Sequence, residues 1–146
     1  MNNITIAKDY IVQAEERIYH AKNAMKRGSY AYVVRQSQEA TELALKASLR
    51  LIGIEFPKIH DVWAILKQHK HKYPQWFQQI IPRLAKISRK LRREREPSMY
   101  GDEESGIPPS ALYGEKEAKD ALKNASYVLN NVKKLFEEYL KNNKNV

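Results

Sequence analysis

The residues between Gly28 and Asp61 constrain the fold most strongly. Wound as a helix over 30–52, at about 100° per residue, they sort into three arcs. Val34, Thr41, Leu45, Ser48 and Ile52 recur at helical spacing and share one face. Arg35, Glu39, Glu42, Lys46 and Arg50 form a second stripe, rotated by about 120°. Val33, Ala40, Leu43, Ala44, Ala47 and Leu51 fill the third arc and are small or apolar throughout. A helix with so wide an apolar arc is covered from more than one side. Neighbours in its own bundle are expected on one arc and a partner subunit on the Leu43–Ala47–Leu51 arc. The charged stripe reads as a solvated, self-paired face, with Glu42 and Lys46 in the favourable i, i+4 order. Facing a groove instead, Arg35 or Glu39 could join a nucleotide pocket.

The chain has 146 residues and no cysteine, which excludes disulfides and thiolate metal sites and fits a reducing, cytoplasmic setting. No uninterrupted apolar run approaches the roughly 18 residues of a membrane span. The first ten residues lack the basic-then-apolar order of a signal peptide. One domain over 1–146 is the simplest organisation. Lys plus Arg number 26 against 17 Asp plus Glu, for a net charge of +9. Such a surplus favours polyanionic partners. Many small basic proteins have no nucleic-acid role, and charge alone leaves both readings open.

The rest of the chain reads as helical. Ala7, Ile11, Ala14, Ile18, Ala21 and Met25 predict a first helix over 5–26, capped by Thr5 or Asn3 and ended by Gly28. Ser29 is placed to cap the next helix, and so short a joint makes the two antiparallel neighbours. Gly53 ends the second helix, Pro57 extends the chain, and Asp61 is placed to cap a short helix over 62–68. A helix over 75–95 follows, with Trp76 or Phe77, Ile80, Leu84, Ile87 and Leu91 as its seam and Pro82 as a start or a kink. Residues 96–111 hold three prolines, two glycines and several acids without periodicity, the signature of a functional or disordered loop. A last helix from Tyr113 to about Leu140 carries Ala118, Leu122, Ala125, Leu129, Val132 and Phe136, and a tail over 141–146 is expected to fray. The expected class is all-α, an antiparallel up-and-down four-helix bundle with an additional short helix.

The strongest polar signal is the basic helix. Arg83, Lys86, Arg89, Lys90, Arg92, Arg93 and Arg95 place seven cations in 13 residues. Arg83, Lys86, Lys90 and Arg93 line one stripe, flanked by Arg89 and Arg92, and such a stripe neutralises phosphates. The alternative is a solvated outer face answered by Glu94, Glu96 and the acids at 102–104. The histidines are His20, His60, His69 and His71. His60 reads as structural, and His69 and His71, two apart, diverge on a helix and cannot chelate one ion as an i, i+4 pair does. No metal or cofactor is implied. There is no glycine-rich phosphate loop, nucleophile elbow or HExxH.

Gly28-Ser29-Tyr30, Ser37-Gln38-Glu39-Ala40, the run from Glu42 to Ala47, Gly53 and Lys58-Ile59-His60-Asp61 together resemble the HEPN (higher eukaryotes and prokaryotes nucleotide-binding) family. The resemblance is dense over residues 5–70 and resumes at Tyr113 and Glu117-Ala118. It implies four or five helices and, usually, a homodimer. Many relatives are encoded beside a minimal nucleotidyltransferase, and some are ribonuclease toxins of toxin–antitoxin pairs. In those ribonucleases an arginine is followed after four to six residues by a histidine near the dimer seam. Here no histidine follows an arginine at that spacing; only Arg17 precedes one closely, with two residues between it and His20. Arg95 matches the motif's arginine, with Arg93 as a second candidate, and Tyr100 stands in the histidine's place. A phenol is a poor general base at neutral pH but can stack on a base or donate to phosphate.

The sequence therefore points to a small dimeric HEPN-like module that binds nucleotide or RNA phosphates. Its candidate binding residues are Arg83, Lys86, Arg89, Lys90, Arg92, Arg93, Arg95 and Tyr100, with no catalytic residue assigned and no enzyme activity expected. The system would be nucleotidyltransferase-associated or toxin–antitoxin-like. The alternatives are a metal-independent endoribonuclease toxin with a non-standard catalytic residue and a non-catalytic helical adaptor.

Overall fold

The computed structural model describes residues 2–55 and 62–144. The readings of Pro57, of the Lys58-Ile59-His60 turn and of Asp61 as a cap lie outside the described residues. Helix α1 (Asn3–Lys26) begins earlier than the periodicity implied. Its N-cap is Asn2, not Thr5 or Asn3, because the Asn2 side chain accepts the otherwise unpaired N–H of Thr5 at 3.1 Å. Gly28, at φ +74°, closes the helix. The Ser29 N–H returns to Ala24 O at 3.0 Å and the Gly28 N–H to Met25 O at 3.2 Å, a Schellman ending. Ser29 holds the N-cap position of α2 (Tyr30–Leu51) but makes no side-chain cap bond.

Helix α2 is the axis of the bundle. It packs against α1, α4 (Gln75–Arg93), α7 (Glu115–Lys144) and the one-turn helices α5 (Pro97–Tyr100) and α6 (Pro109–Leu112). Among its own residues only Tyr32 is exposed. Two of its buried hydroxyls bond within their own helix, Thr41 Oγ1 to Ser37 O at 2.9 Å and Ser48 Oγ to Leu45 O at 2.6 Å. Ala47 and Leu51 are buried within the single chain and Leu43 is half-buried. The arc expected to need a partner subunit is thus covered by the chain's own helices. The charged stripe is half-buried too, which corrects its reading as a solvated face.

Helix α3 (Val62–Gln68) and a 3₁₀ turn (Lys70–Lys72) lead into α4. Phe77, Ile81, Leu84, Ala85, Ile87 and Leu91 form the buried face of α4, so Phe77 rather than Trp76 and Ile81 rather than Ile80 enter the core. Pro82 lies inside the helix, not at its start. Trp76 stays half-buried and donates its Nε1–H to Glu138 at 2.8 Å. The result is an all-α bundle of α1, α2, α4 and α7; the described residues contain one isolated bridge, Asp102 with Ile107, and no longer strand. Helix α7 opens after Gly114, whose N–H is capped by Glu117 Oε1 at 2.7 Å, and continues past Leu140 to Lys144.

Residues 96–111, read from sequence as a loop without regular structure, contain α5, α6 and a reversal between them. The Asp102 N–H meets Ile107 O at 2.8 Å, the Ile107 N–H meets Asp102 O at 2.9 Å, and Asp102 Oδ1 accepts from the Ser105 N–H at 3.2 Å. Gly101 makes this possible: at φ +74° it faces Ile107 O so closely that a Cβ would stand 2.1 Å from it. Gly106, at φ +69°, has open space where a Cβ would go. Alanine at Gly106 is expected to cost roughly 1–2 kcal/mol for the left-handed backbone alone. Alanine at Gly101 is expected to cost more, because backbone must also move. Urea unfolding of the two variants checks this, and equal costs would contradict the close approach.

Candidate nucleic-acid interface

With its apolar face turned to the core, α4 leaves Arg83, Lys86, Arg89, Lys90, Arg92 and Arg93 exposed. They do not form one surface. Lys86, Arg89, Arg92 and Arg93 line a groove of about 620 Å³. On a helix these four fall within an arc about 120° wide, while Arg83 and Lys90 lie about 20° apart on its flank. The Arg83 guanidinium sits 3.9 Å from the ring centroid of Tyr127 on α7. Lys90 lines a smaller hollow of about 250 Å³ with Glu94, Tyr113, Glu117, Asp120 and Asn124. The groove is therefore centred on the flanking arginines of the sequence reading rather than on its stripe.

Arg95 and Tyr100 lie apart from the groove. Arg95 follows the end of α4 and reaches back to α2, where its Nη1 is 3.6 Å from Glu42 Oε1. Its backbone carbonyl accepts from Arg35 Nη1 and from Ser98 Oγ. The Arg35 Nε in turn donates to Glu39 Oε2 at 2.8 Å, and Glu39 Oε1 accepts from Arg17 Nε of α1 at 3.0 Å. The stripe on α2 thus ties α1, α2 and the turn after α4 together. Tyr100 opens instead on a hollow of about 570 Å³ lined by Glu94, Glu96, Asp102, Glu103, Glu104 and Tyr113. The acids that could have answered the basic helix thus gather in a hollow of their own.

Trp63 of α3 was not singled out by the sequence reading, yet it lies beside the groove, with the Arg89 Cζ 5.3 Å from its ring centroid. It stands in an apolar run with Val62, Ile65 and Leu66, and such a run signals packing rather than a binding site. His20 pairs with Glu16 at 3.4 Å, and His60 lies outside the described residues. Among the described residues no three histidine, aspartate or glutamate side chains gather as a metal site.

Comparison with known proteins gives this arrangement its family. Residues 7–135 match the HEPN domain, and the chain belongs to that family. It is 30% identical over 142 residues to the protein named "Putative toxin MJ1304" of Methanocaldococcus jannaschii, covering 93% of this chain and 91% of that one. The crystal structure of TT1696 from Thermus thermophilus superposes with a TM-score of 0.72 at 26% identity, covering 92% of this chain and 98% of its own. ST0689, described as an archaeal HEPN homologue, gives a TM-score of 0.66 at 28% identity, with 89% and 97% covered. No helix among the described residues is long and apolar enough to cross a membrane.

Two buried phenols give the fold an alkaline limit. Burial pushes the Tyr113 hydroxyl well above its ordinary value of 10.0, and the hydrogen bond to Glu94 and that carboxylate's charge push it further. Burial likewise raises Tyr73, whose hydroxyl donates to Ser48 O at 2.9 Å, and the Ser48 side chain offsets this only in part. Above the ordinary phenol range the unfolded chain has released these protons and the native chain still holds them. Stability from this source is therefore complete below about pH 10 and falls as pH rises further. The Tyr73→Phe, Tyr113→Phe double variant is expected to lose less stability than the parent between about pH 9 and 11.5. Denaturant titrations across that range check it; identical slopes would contradict it.

Proposed function

We propose that this chain is a binding module of the HEPN family that holds nucleotide or RNA phosphates in the α4 groove, without cleaving them. The observation that carries the reading is the convergence of Lys86, Arg89, Arg92 and Arg93 on one exposed groove, with the acids at 94–104 lining a separate hollow. Arginine and lysine side chains so arranged bind phosphate oxygens without reading sequence. Arg95 is secondary in this proposal because it pairs with Glu42, and Tyr100 because it opens among carboxylates.

A homodimer belongs to the proposal as the assembly the family resemblance implies. Its support lies in the exposed apolar side chains Met99, Tyr100 and Ile107, which sit together on residues 97–107. The Leu43–Ala47–Leu51 arc no longer supports it. A nucleotidyltransferase partner, in a toxin–antitoxin-like system, is the setting the resemblance and the relative's name favour. That name also favours the second reading, a metal-independent endoribonuclease.

One experiment separates them: labelled single-stranded RNA titrated with the protein in chelator over a range of salt. The parent is expected to bind with a clear salt dependence and to leave the RNA intact. Arg89→Glu, Arg92→Glu, Arg93→Glu together should weaken binding at least tenfold and flatten the log–log salt slope by about two units, since each single-strand phosphate contact contributes about 0.7. Unchanged affinity and slope would remove the groove reading. Cleavage by the parent that Arg95→Ala abolishes would establish the endoribonuclease instead.

A further inference from the structure

One of the groove's own cations, Arg89, stands against an aromatic ring, and that ring narrows what can occupy the groove. Trp63 is half-buried and packs against the core, so its ring is held in place. Lys67 Nζ lies 5.5 Å and Arg89 Cζ 5.3 Å from its centroid. Arg89 is also a groove residue. Two further aromatic–cation contacts among the described residues differ on this point. Arg83 over Tyr127 and Lys134 over Trp76 involve cations that do not line the groove.

We infer that the groove takes single-stranded nucleic acid, with phosphates on its cations and one unpaired base stacked at Trp63. This rests on the groove being a phosphate site and names the class of polyanion it prefers. An exposed cation over an aromatic ring is held weakly, whereas a guanidinium on a phosphate makes a charge-assisted, bidentate contact. A phosphate entering the groove draws Arg89 toward itself, and the indole face it leaves suits a base, because every base has a π-face. The guanidinium plane beside it offers a second stacking surface. Lys86 and Arg93 lie seven residues apart, about 10 Å along the helix, so the cations follow a backbone rather than a single phosphate. A duplex keeps its base faces stacked inside and presents only edges, leaving Trp63 nothing to receive.

The test uses the full chain and four probes at fixed ionic strength: an oligoadenylate of about eight nucleotides, its abasic counterpart, its duplex and inorganic polyphosphate. Oligoadenylate is expected to bind at least about 5-fold more tightly than the abasic strand or the duplex, the lower end of the roughly 5- to 150-fold that stacking one base provides. Trp63→Leu should erase that preference and leave polyphosphate affinity unchanged, and Trp63→Phe should retain most of it. Because the chain has two tryptophans, Trp76→Phe makes Trp63 the sole reporter with its ring intact. Its fluorescence is expected to be quenched by oligoadenylate and not by the abasic strand. Equal affinity for oligoadenylate and abasic strand, or no quenching by either, would overturn the stacking inference and leave the phosphate site standing. Failure to bind any of the four at low salt would overturn both.

Discussion

The interaction on which the arrangement depends is the carboxylate of Glu39 held between two guanidinium groups from different helices. Arg17 on α1 and Arg35 on α2 each donate to one of its oxygens. All three side chains are under a third exposed, so the charges are screened less than in a surface pair, whose worth is about 0.2–1 kcal/mol. Removing Glu39 would leave two cations facing each other in a partly dry seam. Arg35 extends the link to the Arg95 carbonyl, and Arg95 returns to Glu42. The chain following α4 is thereby fixed to the central helix, and with it the direction in which α4 presents its last turns.

That fixing has an electrostatic consequence. The C-terminal half of α4 divides charge between two sides, cations in the groove and carboxylates in the hollow beyond Glu94. A net charge of +9 is thus a spatial pattern and not only a total. Fields of one sign focused in a groove raise the local concentration of an oppositely charged ligand. The helix C-terminus adds its own partial negative charge, which the cations of the last turn, Lys90, Arg92 and Arg93, offset.

How much of this was legible depended on what periodicity can report. It gave α1, α2 and α7 because long apolar repeats admit one winding. It identified the polar stripe on α2 but not its cover, since that cover comes from residue 17 and from the turn after residue 93, distant in sequence. The choice between Trp76 and Phe77, or Ile80 and Ile81, is a single residue and hence about 100° of rotation. The stripe drawn from the spacing of the cations ran through Arg83, Lys86, Lys90 and Arg93 with Arg89 and Arg92 as flanks, whereas the groove of the fold is lined by Lys86, Arg89, Arg92 and Arg93. Residues 96–111 carry no repeat, and their shape depends on a contact between Gly101 and the Ile107 carbonyl that no local pattern encodes. Arg95 and Tyr100 looked like a motif because they are spaced like one; the backbone turns between them, and their side chains lead to different places.

In the proposed function, ligand binds on one side of α4. Amide and indole chemical-shift mapping during titration with a short single-stranded oligonucleotide tests it most directly. The largest changes are expected at Lys86, Arg89, Arg92, Arg93 and the Trp63 indole, with Arg83, Lys90 and the turn around Tyr100 little affected. Changes centred on Arg95 and Tyr100, or spread evenly over the exposed cations of the chain, would contradict it.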